Sequence, residues 1–317
     1  MTTAVAAYDD LVNGHGMRTA QLLLGRMPLP QLGLSSQAQP SGVPRILQLE
    51  PYDAADPDLR VDSAALAPIA HVLVHGSIAT GDACGFSDVD VAVIPDDLHT
   101  YTPEQHARAM EALRHLLTTI FSYDPLMHHG LMFFPASGFL RYDQRFLPIE
   151  ALRLARVVHG PSELLLWETP GPPGAFADAF RACTVSLAKR LATTAFAHND
   201  YALKHAVSAA LLMPSRMLAT HDIHVYKRDS FELARSYFST ASWEFIARCE
   251  ALRFAWERPD PPVFERTILA KMHPHLQQVT HQRLAPRDNA RRLSRRMIDG
   301  LQRSAAQFAH YVETAAP

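Results

Sequence analysis

Cysteine is scarce in this 317-residue chain. Cys84, Cys183 and Cys249 are the only three, lying far apart and without a C-x-x-C spacing. That leaves no cysteine zinc signature and no disulfide framework, and it suits a reducing cytoplasm. A dominant charge is also missing. The 30 Lys and Arg residues stand against 32 Asp and Glu, for a formal net charge of −2. No global field therefore draws the chain to nucleic acid or to an anionic membrane. No apolar run reaches membrane-spanning length. The opening "MTTAVAAYDDLVNGHGMRTA" carries early acids and lacks the continuous apolar segment of a secretory signal. Internal repeats and low-complexity tracts are absent. The expectation is a soluble, cytoplasmic protein.

What is present is ordinary globular material: 48% hydrophobic and 20% charged residues, in a chain long enough for two domains. Residues 4 to 26 have helical spacing interrupted by Gly14 and Gly16. Residues 27 to 60 are rich in Pro, Ser, Gln and Gly and read as a loop or linker. "IAHVLVHG" and "VDVAVIP" are strand candidates by their β-branched content, with "MHHGLMFFP" and "ARVVHGP" as shorter apolar runs. Between them, "TPEQHARAMEALRHLLTTIF" begins with a Thr cap and a Pro at the first helical position. "ETPGPPGAF", residues 168 to 176, has three prolines and two glycines and reads as a hinge. Beyond it the pattern is helical almost to the end. The predicted class is α+β. Residues 61–167 form a mixed β-sheet domain with flanking helices, preceded by an N-terminal helix and linker over 1–60. A helical bundle over 176–317 follows.

Within the second strand candidate stand Asp88 and Asp90. Side chains alternate along a strand, so i and i+2 share a face. Two carboxylates that close repel each other, and a divalent cation relieves the conflict. Mg²⁺ fits, since it takes one or two carboxylates and completes its shell with water and phosphates. Gly76 and Ser77 end the preceding strand, where backbone N–H groups at a strand-to-helix junction suit a phosphate. A Ser hydroxyl can add a donor there.

This pattern, "VHGSIATGDACGFSDVDVAVI", resembles the signature of the nucleotidyltransferase superfamily that includes DNA polymerase β and the aminoglycoside nucleotidyltransferases. Gly76, Ser77, Gly81, Asp88 and Asp90 fall on the matching positions. Residues 211 to 234, "LLMPSRMLATHDIHVYKRDSFELA", are similar to the helical domain of streptomycin/spectinomycin adenylyltransferases. They lack the turn glycine often found there and carry "THDIH" instead. The resemblance implies in-line attack of an acceptor hydroxyl on the α-phosphorus of a nucleoside triphosphate, ATP first among them, with release of pyrophosphate. It implies Asp88 and Asp90 as Mg²⁺ ligands, Gly76 and Ser77 at the β- and γ-phosphates, and Lys227 closing over them.

The superfamily supplies a third carboxylate from a later strand. Here the strand offers His128 and His129, with Asp124 just before it and Asp143 and Glu150 further on. A histidine can serve as general base or as a metal ligand, and alternation lets only one of the two face Asp88 and Asp90. A small-molecule acceptor is the leading expectation. An aminoglycoside-like acceptor calls for an acidic lining, for which Glu163, Glu168, Asp178, Asp200, Asp222 and Asp229 are candidates. The alternatives are nucleotidylation of a protein or tRNA, or a nucleotide-binding module without transfer. The basic run near residue 290 suits the solvated face of a helix better than a nucleic-acid surface. The sequence sets no oligomeric state.

Overall fold

The structure, a computed structural model, describes residues 39–53, 57–124, 126–127, 131–145, 147–192, 200–258, 289 and 299–308. The helix expected over residues 4 to 26 lies outside them. In chain order the strands are β1 (Val43–Gln48), β2 (Glu50–Pro51), β3 (Ile69–His75), β4 (Asp90–Pro95), β5 (Leu131–Phe133), β6 (Arg156–His159) and β7 (Glu163–Glu168). The helices are α1 (Gly76–Thr80), α2 (Pro103–Tyr123), α3 (Ile149–Arg153), α4 (Ala175–Ala192), α5 (Asp200–Leu211), α6 (Met213–Ala219), α7 (Ser230–Ala234) and α8 (Thr240–Ala255). Residues 299–308 are also helical.

Five strands form a mixed sheet in the order β2-β6-β3-β4-β5, while β1 and β7 pair separately. At its centre β3 and β4 run antiparallel, with Val72 opposite Val93, Val74 opposite Val91 and His75 opposite Asp90. β5 adds to β4 in parallel. Alternation along these strands divides the core. Val72, Val74, Val91 and Val93 face Leu113, Leu117 and Ile120 of α2. Leu73, Ala92 and Ile94 face Phe139, Ile149, Leu152 and Leu166 on the other side. Helices α4 to α8, with the helical residues 299–308, bury a third cluster, which includes Leu203, Leu211, Phe245 and Phe308. Phe86 and Leu126 enter that cluster from the sheet half. The two halves therefore share apolar packing. The α+β class is as expected, a mixed sheet with flanking helices followed by a largely helical region.

Local chemistry accounts for the boundaries. Thr102 accepts from the Gln105 backbone while the Gln105 side chain returns to Thr102, a capping box with Pro103 at the first turn. The helical run over residues 200–219 divides at Met213, because Pro214 lacks an N–H and begins a new helix. Another divides at Ser239, whose hydroxyl accepts from the Ser242 N–H and starts α8. The segment read as a linker over 27–60 holds β1 and β2. Composition hid them, but Leu47 and Leu49 are buried and β1 finds its partner more than a hundred residues away in β7.

Candidate active site

Gly76 opens α1 directly after β3, with φ +74°. A Cβ placed there would stand 2.6 Å from Asp90 Oδ2. The glycine is needed twice over, for its left-handed backbone and for the close approach of that carboxylate. Asp90 is the first residue of β4, across the ladder from His75. Burial holds the His75 imidazole below its usual pKa, against the pull of Asp90, so it is neutral at physiological pH. Ser77 follows in the first turn of α1, its carbonyl accepting from the Asp82 N–H at 3.0 Å. Gly81, at φ +75°, ends the helix.

Asp88 lies before β4, not inside it as the alternation argument expects. Strand pleating therefore places Asp90, and a different device places Asp88. The Ser87 N–H donates to Cys84 O at 2.9 Å, and the Cys84 N–H donates to Ser87 Oγ at 3.0 Å, closing a tight turn. Phe86 packs edge-on against Trp256, with ring centroids 5.3 Å apart. Asp88 is then only 8% exposed and is ion-paired with the ammonium of Lys204 on α5.

Lys204 also pairs with Asp124 Oδ2 at 2.5 Å, and its ammonium is 5.6 Å from the centroid of the Phe86 ring. Asp124 caps the end of α2 and accepts from the Leu126 N–H at 3.1 Å. Lys204 and Asp124 are each about 1% exposed. Burial raises the Asp124 pKa to about 6; Lys204 opposes the rise and the like charge of Asp88 adds to it. For Lys204, burial disfavours the charged form, but Asp124 and Asp88 outweigh it and hold the pKa above the usual value.

Lys227 lies in the turn between α6 and α7. Loss of water around its ammonium, with Arg253 of α8 alongside, lowers its pKa to about 8, against the pull of Asp90 and Asp88. Among the described residues its ammonium has no hydrogen-bond or ion-pair partner. The turn is fastened from the next residue, where Arg228 Nη1 meets Asp82 Oδ2 at 2.6 Å just beyond α1. Asp222 takes φ +59° in the same connection. There the expected turn glycine is replaced by a residue type that tolerates the left-handed region.

Gly76 and Asp90 thus touch, Ser77 is one residue further along α1, and Lys227 lies within electrostatic reach of both Asp88 and Asp90. His128 and His129 lie outside the described residues. Asp143 is taken up by Arg145, and Glu150 by Arg153 at 3.3 Å. The acids considered as an acceptor lining are dispersed. Glu163 and Glu168 sit on β7, bonded to Gln48 and Arg45. Asp200 is fully buried against Asn289, and Asp222 and Asp229 pair with His224 and Arg228.

Asp88 and Asp90 are oxygen donors of the kind a hard divalent ion takes when it brings its own phosphate and water ligands. No group of three or more His, Cys, Asp or Glu is placed to hold an ion among the described residues.

Residues 65–123 match the family model described as Polymerase beta, Nucleotidyltransferase. The match spans Gly76, Ser77, Asp88 and Asp90 and stops before Asp124, Lys204 and Lys227. Neither the curated proteins nor the solved structures contain a match to the chain.

Sequence reasoning did not weigh Lys204 at all. Its signal was present in "DYALKHAVSAALL", a lone lysine on a mostly apolar helix. Such a residue is rarely buried unless it is paired.

Proposed function

We propose that this protein binds a Mg²⁺–nucleoside triphosphate, with ATP the first candidate, at a nucleotidyltransferase-type site on residues 61–167 covered by the helical region 176–317. Asp88 and Asp90 would hold the ion, Gly76 and Ser77 would receive the phosphates, and Lys227 would close over them. The observation that carries this reading is Lys227. A half-buried ammonium, next to a second cation and without a partner among the described residues, is an arrangement that an incoming polyphosphate would relieve. Bound Mg²⁺ would screen the phosphate charge and polarise the α-phosphorus.

The leading form of the proposal is a nucleotide-binding module. The third carboxylate beside Asp88 is Asp124, which is engaged by Lys204 and by the Leu126 N–H. It is therefore not available to take a proton from an acceptor hydroxyl. The second form is transfer of a nucleoside monophosphate to the hydroxyl of a small molecule, a protein or a tRNA. The match of residues 65–123 to the nucleotidyltransferase model favours it. Incubation with α-labelled ATP and Mg²⁺, followed by separation of small-molecule, protein and RNA fractions, distinguishes the two. Stoichiometric retention of intact ATP without pyrophosphate release supports binding alone. Label in any fraction together with pyrophosphate establishes transfer. Absence of both retention and transfer rejects the proposal.

A further inference from the structure

Asp88 and Asp124 come from different elements, the turn before β4 and the end of α2. They meet at the Lys204 ammonium. Each presents one carboxylate oxygen to that one nitrogen, in a space closed by the Phe86 ring. All three groups are withdrawn from water. The arrangement has the form of a cation held between two hard oxygen ligands, with the cation carried by the chain itself. We propose that Lys204 is a built-in substitute for a divalent cation between Asp88 and Asp124, so that the triphosphate site, as read above, takes one divalent ion and not two.

Three features carry the inference. The ammonium fills the position between the carboxylates, so a metal cannot enter there while Lys204 is present. Its single positive charge makes the substitution partial, since a divalent ion would supply two. Lys204 also belongs to a helix of the C-terminal half, so the same ion pair ties that half to the carboxylate it positions.

The test is a count of Mn²⁺ bound to the full chain by electron paramagnetic resonance, with and without α,β-methylene-ATP. Wild type should bind one Mn²⁺ per bound analogue and none between Asp88 and Asp124 in its absence. Lys204→Met should gain one Mn²⁺ even without the analogue, and that ion should raise its melting temperature. Lys204→Arg should keep the wild-type count. Lys204→Met/Asp124→Asn should lose the gained ion. Two ions per analogue on wild type, or no gained ion on a folded Lys204→Met chain, overturns the proposal. If Lys204→Met folds too poorly to titrate, the wild-type count decides. Failure of the analogue to bind rejects the triphosphate reading, while the gain of Mn²⁺ by Lys204→Met without nucleotide tests this inference separately.

Discussion

The proposed site draws on the helical half for two lysines, and they are held in opposite ways. Lys204 is enclosed by two carboxylates and kept charged despite its burial. Lys227 is half-buried beside Arg253, and Asp90 and Asp88 offset the cost of its charge only in part, so its pKa falls to about 8. The first arrangement is complete in the free protein. The second is left unsatisfied, which is the condition expected of a group whose partner arrives with a ligand. The state of charge compensation separates the two lysines.

The largest expected effect comes from breaking the compensated member. Lys204→Met leaves two buried carboxylates without their cation and should destabilise the fold by about 3–5 kcal/mol, read by denaturant unfolding. Lys227→Met removes an uncompensated charge, so the same measurement should show no loss, or a gain of about 1 kcal/mol. Equal destabilisation by the two substitutions would erase the distinction.

Ligand binding should reverse that ranking. Lys227→Met is expected to weaken triphosphate binding by roughly 10- to 100-fold, the size of a lost charge-assisted hydrogen bond. Calorimetric titration with α,β-methylene-ATP reads it, and an unchanged affinity removes Lys227 from the site.

pH sharpens the contrast. Lys227 is charged below about pH 8 in the free protein, so triphosphate affinity should fall as pH rises through that value. The profile should be flat in Lys227→Met. Stability responds with opposite signs at the two lysines. For Lys227 the folded pKa lies below the usual lysine value of 10.5, so the unfolded chain binds more protons between about pH 8 and 10.5. Its contribution to stability therefore rises with pH in that window. For Lys204 the folded pKa is raised above 10.5, so its contribution is complete below 10.5 and is lost as pH climbs through the folded value. Difference unfolding curves of each Met variant against wild type, taken from pH 7 to 10.5, should slope above about pH 8 for Lys227 and stay flat for Lys204.

The smallest effect belongs to the turn that presents Lys227. Asp222→Ala should cost about 1 kcal/mol, because alanine tolerates φ +59° poorly. Asp222→Gly should be close to neutral, since glycine accepts that conformation but loses more entropy on folding. Thermal melts of the two variants compare them directly.

Local chemistry made much of the sheet half legible. The β-branched runs of β3 and β4, the Thr102–Pro103 helix start and the Gly76–Ser77 turn each carry their own physical signature over a few residues. The pairing of β1 with β7 left no such mark, because register between strands so distant in sequence is set by long-range packing. The same holds within the site. Gly76 against Asp90 could be anticipated, since both belong to one hairpin-like unit. The meeting of Asp88, Asp124 and Lys204 could not, since it joins a turn, a helix end and a second helix across residues 88 to 204. Strand alternation correctly drew attention to the Asp-x-Asp pair but misplaced Asp88. Its side chain is positioned by the Cys84–Ser87 turn and by Lys204 instead of by the pleat.

Isothermal titration of the wild-type chain with α,β-methylene-ATP, in Mg²⁺ and again in EDTA, tests the central claim most directly. The account predicts one analogue per chain in Mg²⁺, with affinity lost in EDTA and in Asp90→Asn. Absence of binding in Mg²⁺, or affinity that survives both EDTA and Asp90→Asn, would contradict it.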